Sequence, residues 1–201
     1  MRDPHMKYLS IAMMVVMTAS CTTIQTVPEY WKLPMPEQGD RCPDISGRYV
    51  NSGEKIDSKS RVDMQWQWFF GSDVEKYAVP PGKWLEISQI LIRQENANQL
   101  EIVGLSASGA LQARRIFKKE HGDYSCQDGW LKVTGSNYSG SSGSVGVYNF
   151  IRSFKKADGY LIQREEYDAF GLILILPIKR DGTLWYRYSQ VAGGDDRAPA
   201  Q

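Results

Sequence analysis

The sequence predicts an all-β protein: a single antiparallel meander forming a barrel or sandwich, with room for one short helix, behind an amino-terminal signal and a tether. Three observations lead to that class. From residue 42 onward, apolar and β-branched residues recur in short runs suited to strands. Asp128-Gly129, Asp158-Gly159 and Asp181-Gly182 punctuate these runs with the positive-φ chemistry of tight hairpins. No long helical segment intervenes, which argues against an α/β arrangement.

Taken in order, residues 1–20 read as a signal peptide, 21–41 as a tether, 42–192 as the β domain and 193–201 as a disordered tail. The tether holds Pro28, Pro34 and Pro36 among polar residues. In polyproline form, at about 3.1 Å per residue, it would reach roughly 60 Å. Tyr30-Trp31 within it either touches a membrane interface or packs back on the domain. Gly47 to Asn51 opens the strand series, followed by Trp84 to Arg93, Leu100 to Leu105 and Ala110 to Lys118. Trp130 to Thr134, Val147 to Phe154, Tyr160 to Tyr167, Phe170 to Ile178 and Thr183 to Tyr188 complete it. Asn96 to Gln99 and Ser106 to Gly109 are further turns.

Three segments need separate comment. Val62, Met64, Trp66, Trp68 and Phe70 alternate with polar residues, which favours a strand, although Ser58-Lys59-Ser60 would also cap a short helix. Phe170 to Ile178 is apolar on both faces and is expected in the middle of the core; lipid contact or a partner are the other readings. Gly135 to Gly146 holds nine Gly or Ser in twelve positions and reads as a flexible hairpin loop able to rim a binding site.

The composition is that of an ordinary globular chain: 201 residues, 42% hydrophobic, 23% charged, formal net charge +1. That excludes a wholly disordered or collagen-like protein. The absence of a strong charge gives no support to nucleic-acid binding. Loss of residues 1–20 would remove Arg2, Lys7 and Asp3, leaving the acids and bases balanced.

The amino terminus has a three-part layout. Lys7 precedes Tyr8 to Met17, a mostly apolar stretch without charge, and small residues Thr18-Ala19-Ser20 lead to Cys21. Such a segment suits export and is too short for a stable membrane span. Met6 is the expected start, because Asp3 and Pro4 sit poorly in a short basic leader. These residues resemble bacterial lipoproteins, Thr18-Ala19-Ser20-Cys21 standing where that family has its lipobox. Thr18 departs from the usual Leu. The resemblance implies cleavage before Cys21, diacylglycerol on its sulfur and acylation of its amino group. Two or more acyl chains hold a protein stably to a bilayer. Thr22 and Thr23 replace the Asp that marks inner-membrane retention in the family, so the resemblance implies the outer membrane, facing the periplasm. The Cys42 to Tyr49 opening and Thr183 to Tyr188 also resemble small proteobacterial envelope lipoproteins, a likeness that carries no activity across. Gly47-x-Tyr49 resembles the Gly-x-Trp opening of lipocalin-like barrels.

With Cys21 acylated, Cys42 and Cys126 remain. An even remainder in an oxidising compartment reads as a disulfide, with two separate buried thiols as the alternative.

The sequence carries no recognisable catalytic constellation. His121 is the single histidine after the signal, and no Gly-x-Ser-x-Gly elbow accompanies it. His121, Asp123 and Cys126 lack the paired spacing of a metal site. Glu165, Glu166 and Asp168 are an acidic cluster read as strand and turn decoration rather than a glycosidase pair. Arg114-Arg115, Lys118-Lys119 and Lys155-Lys156 lie among acids and suit solubility. Trp66, Trp68, Trp84, Trp130 and Trp185 read first as core, or as the lining of a ligand concavity. The expectation is therefore a non-catalytic binding or envelope-assembly module needing no cofactor or metal, with a lipocalin-like carrier of a hydrophobic or lipid ligand as the alternative. Its partners would be the membrane, through the anchor, and an envelope protein or lipid.

Overall fold

The computed structural model describes residues 21–24, 26–27, 31, 33, 41–55, 61–63, 75–76, 86–141, 144–173 and 176–191. Residues 1–20, expected as a signal peptide, residues 193–201, expected as a tail, and Trp66, Trp68 and Trp84 lie outside these residues. So does most of the alternating segment after Asp63.

Thirteen strands form among the described residues: β1 (Cys21–Ile24), β2 (Gly47–Val50), β3 (Ser52–Lys55), β4 (Arg61–Asp63), β5 (Glu75–Lys76), β6 (Gln89–Asn96), β7 (Gln99–Leu105), β8 (Leu111–Lys118), β9 (Ser125–Gln127), β10 (Trp130–Ser141), β11 (Ser144–Ala157), β12 (Tyr160–Ile173) and β13 (Leu176–Ser189). They make two packed sheets, so the architecture is a sandwich, and no closed barrel forms among the described residues. The larger sheet runs β4-β3-β13-β12-β11-β10-β9, with β1 also on β13. The smaller runs β2-β6-β7-β8-β5. The meander is thus divided, β6 to β8 in one sheet and β9 to β13 in the other. A short 3-10 turn lies at Lys119–His121.

Two of the predicted Asp-Gly turns form as the dipeptides demand. Asp128 and Gly129 have φ of 55° and 71°, and Asp158 and Gly159 have 46° and 77°. The third does not. Asp181 and Gly182 sit inside β13, paired with Asp168 and Tyr167. The reversal falls earlier, where Ile173 pairs with Leu176. Phe170 to Ile178 is therefore not one central strand: it supplies the end of β12 and the start of β13. Phe170 and Leu172 are exposed, and the strand buried on both faces is β7. A fourteen-residue ladder between β12 and β13 satisfies more backbone groups than the two shorter hairpins the turn signal implied.

Most of the expected Gly/Ser loop is strand, β10 running to Ser141 and β11 starting at Ser144. β10 and β11 stay paired through Ser141 and Ser144. Glycine is needed at Gly135, where a Cβ would run into the Phe150 ring.

The main core lies between the sheets. Ile90, Ile92, Leu100, Ile102 and Phe117 of the smaller sheet meet Leu131, Val133, Phe154, Leu161 and Tyr188 of the larger. Gly47-x-Tyr49 is explained locally. Gly47 takes φ 152°, and the buried Tyr49 hydroxyl turns back to donate to the Ile45 carbonyl at 3.0 Å. The motif does not open a lipocalin barrel here.

A second apolar layer covers the other face of the larger sheet, where Trp31, Ala157, Ile162 and Trp185 are buried together. Val27 and Leu33 pack against them. Within the segment expected as a tether, β1 pairs in parallel with β13, and Trp31 is buried, as in the packed-back alternative for Tyr30-Trp31.

Cys42 and Cys126 are joined in a disulfide with Cα atoms 5.0 Å apart. It ties the segment before β2 to β9. Closing a loop across 84 positions removes denatured-chain entropy worth about 4–5 kcal/mol. Cys126→Ala, or reduction of the parent, is expected to lower the urea unfolding free energy by up to that amount. Equal midpoints with and without reductant would show that the bridge contributes nothing.

Candidate functional site

Side chains alternate along β10 to β13, so one face of each strand points at the smaller sheet and the other points away. The hairpin turn at Asp158-Gly159 puts Arg152 of β11 directly across from Glu165 of β12. Both face inward and both are buried.

Glu165 is the hub of a polar network. Arg152 Nε donates to its Oε2 at 2.5 Å, and Tyr148 Oη donates to its Oε1 at 2.5 Å. Gln163 Nε2 donates to Oε2 at 3.3 Å, while Gln163 Oε1 accepts from Tyr188 Oη at 3.4 Å. The Tyr148 ring stacks on Tyr167, centroids 5.4 Å apart. Burial pushes the phenols of Tyr148, Tyr186 and Tyr188 well above their ordinary value. The nearby Glu165 carboxylate raises all three further. They stay protonated, and Tyr148 acts as a donor to the carboxylate.

Beside this network, a cleft of about 300 Å³ opens between β8 and the β10–β11 hairpin. Arg115, Phe117, Asp123, Asn137, Phe150 and Arg152 are among its lining. Each arginine lies over a ring, Arg115 at 4.6 Å from the Phe117 centroid and Arg152 at 4.0 Å from that of Phe150. Stacked guanidinium groups with an amide nearby suit recognition of polar or anionic groups. They do not make a nucleophile with its base.

The other residues singled out in the sequence are dispersed. His121 is exposed, its Nε2 3.7 Å from Glu120 Oε1. Asp123 Oδ2 accepts from the Lys118 backbone N–H at 2.8 Å. Cys126 is in the disulfide, so His121, Asp123 and Cys126 do not converge as ligands. Among the described residues no group of three metal-capable side chains forms. Glu165 and Glu166 point to opposite faces. Glu166 pairs with Arg164, and Asp168 lies 3.7 Å from Lys179, so these two outward carboxylates each have a basic neighbour. Trp130 and Trp185 meet edge-on at 6.0 Å in the outer layer, not around a concavity.

Sequence reasoning treated Glu165 as surface decoration and missed Arg152. The available signal was positional: the two stand equally far from the Asp158-Gly159 turn. Cys21 begins β1, its position paired with Arg180.

No family model, no curated protein and no solved structure matches the chain.

Removing one member of a buried ion pair strands the other charge, whereas replacing both by apolar groups is much milder. Glu165→Leu is expected to destabilise by about 3–5 kcal/mol, and Arg152→Leu/Glu165→Leu to recover much of that loss. Urea denaturation of the four proteins in the cycle measures the coupling. Strictly additive losses would mean the pair is not a unit.

Proposed function

We propose that this chain is a lipid-anchored envelope protein whose β-sandwich faces the periplasm and acts as a non-catalytic binding or assembly module, held at the outer membrane. The observation that carries the reading is Cys21. It follows a basic, apolar and small-residue leader resembling a lipoprotein signal, and it is the first residue of β1. Two or three acyl chains there, at about 0.8 kcal/mol per buried CH₂, make a durable anchor.

The interior supports a binding role over turnover. Glu165, the carboxylate beside the cleft, is saturated by Arg152, Tyr148 and Gln163. A carboxylate so engaged stabilises the sandwich and is poorly placed to move protons to a substrate. A lipid carrier would need a larger and more apolar space than the cleft lined by Arg115, Asp123, Asn137 and Arg152.

Cys21→Ala tests the anchor. Expressed in a Gram-negative cell with its leader, the parent is expected in the membrane fraction and in the detergent phase on partition. The variant is expected to leave both. A variant cleaved at the same bond that partitions like the parent would end the anchor reading.

A further inference from the structure

The strands of the larger sheet carry an apolar tip. β11, β12 and β13 are each fourteen residues long, about 46 Å at 3.3 Å per residue, whereas the longest strands of the smaller sheet have eight. Near the β12–β13 reversal, two rows of side chains cross the outward face. One runs Tyr138, Val147, Phe170, Lys179 and the next Val145, Leu172, Pro177. Tyr138 is 81% exposed, Val145 65%, Phe170 53% and Leu172 42%. Of the six exposed large hydrophobic residues among those described, these four and Ile151 lie on this one face, and Ile116 alone lies elsewhere. Scattered exposed apolar residues need no explanation, but a cluster of this kind marks an interaction surface. Behind it the row Ser136, Asn149, Asp168, Asp181 is polar.

The placement of Cys21 selects the occupant. β1 runs parallel to β13, with Cys21 beside Arg180 and Ile24 beside Thr183. β13 begins at the tip, so the amino-terminal end of β1 points toward the tip. Cys21 therefore sits level with the row adjoining Phe170, and Pro177 lies three residues, about 10 Å, beyond it. Acyl chains on Cys21 would leave the protein at the end where the apolar rows are bare. Lys179 and Arg180, both exposed, stand at this boundary, with Asp168 and Asp181 on the side away from the tip.

We propose that the β10–β13 tip inserts into the bilayer surface beside the lipid anchor, so that Tyr138, Val145, Phe170 and Leu172 lie at the boundary of headgroups and acyl chains. This rests on the anchor reading. A 10 Å overhang matches the roughly 5–10 Å depth reached by interfacial segments, and aromatic residues favour that depth. Lys179 and Arg180 then meet phosphate groups, and the larger sheet stands on the membrane rather than swinging on a tether.

The test uses mature acylated protein reconstituted into phosphatidylethanolamine–phosphatidylglycerol vesicles. Leu172→Cys, and separately Val145→Cys, is labelled with bimane; Asp158→Cys, at the opposite hairpin turn, is the control. Shallow nitroxide lipids serve as quenchers. The expected result is flotation of all three proteins with the vesicles. Bimane at 172 and 145 is blue-shifted and quenched at least threefold more than at 158. Flotation with equal quenching at all positions overturns tip insertion and leaves the anchor intact. A blue shift at 172 without lipid quenching means that a second copy or another protein covers the tip, and overturns it equally. Absence of flotation overturns the anchor and the insertion together.

Discussion

The pairing of β13 along both its edges is the constraint on which the rest of the molecule depends. On one edge it is laddered to β12 from Leu176 to Ser189. On the other it holds β1 at Arg180–Thr183 and β3 at Tyr186–Arg187. Because side chains alternate with period two, this one register decides which residues face the smaller sheet, which face outward, and where the amino terminus of β1 stands. Leu184, Tyr186 and Tyr188 go to the core, and Trp185 and Arg187 to the layer with Trp31. Close packing reinforces the arrangement at Gly53 of β3, where any Cβ would collide with the Tyr188 ring.

Much of the fold was legible in the sequence because the deciding signals were local. Asp128-Gly129 and Asp158-Gly159 specify turns through backbone conformations few other residues accept. An even number of remaining cysteines led to the Cys42–Cys126 bridge. What escaped was non-local. The reversal between Ile173 and Leu176 lies in an apolar run carrying no turn residue, while Asp181-Gly182 has turn chemistry and is overridden by a long ladder. The inward face of β12 reads Leu161, Gln163, Glu165, Tyr167 and the outward face Ile162, Arg164, Glu166, Asp168. Neither face is apolar, so alternation could not tell them apart. Glu165 is buried only because Arg152 is delivered opposite it. Packing of Trp31 on the domain was one of two open readings, and deciding it needs Ile162 and Trp185 from distant strands.

These features bear on how an anchored domain would behave. A buried ion pair inside a sandwich contributes little net stability compared with an apolar replacement, yet breaking it is costly. The β11–β12 register runs uninterrupted from the Glu165 network out to Phe170 and Leu172. With Cys21 in the same sheet, the orientation of the body relative to an acylated terminus becomes a property of backbone hydrogen bonds rather than of linker length.

The claim tested most directly is that Cys21 belongs to the sheet and does not lead a free tether. Amide hydrogen exchange of the mature chain, read by mass spectrometry, compares the peptide holding Thr22 to Ile24 with that holding Arg180 to Thr183. The account predicts that both are protected, the first exchanging at least a hundredfold more slowly than in the free chain. Exchange of Thr22 to Ile24 at the free-chain rate beside a protected β13 would contradict it.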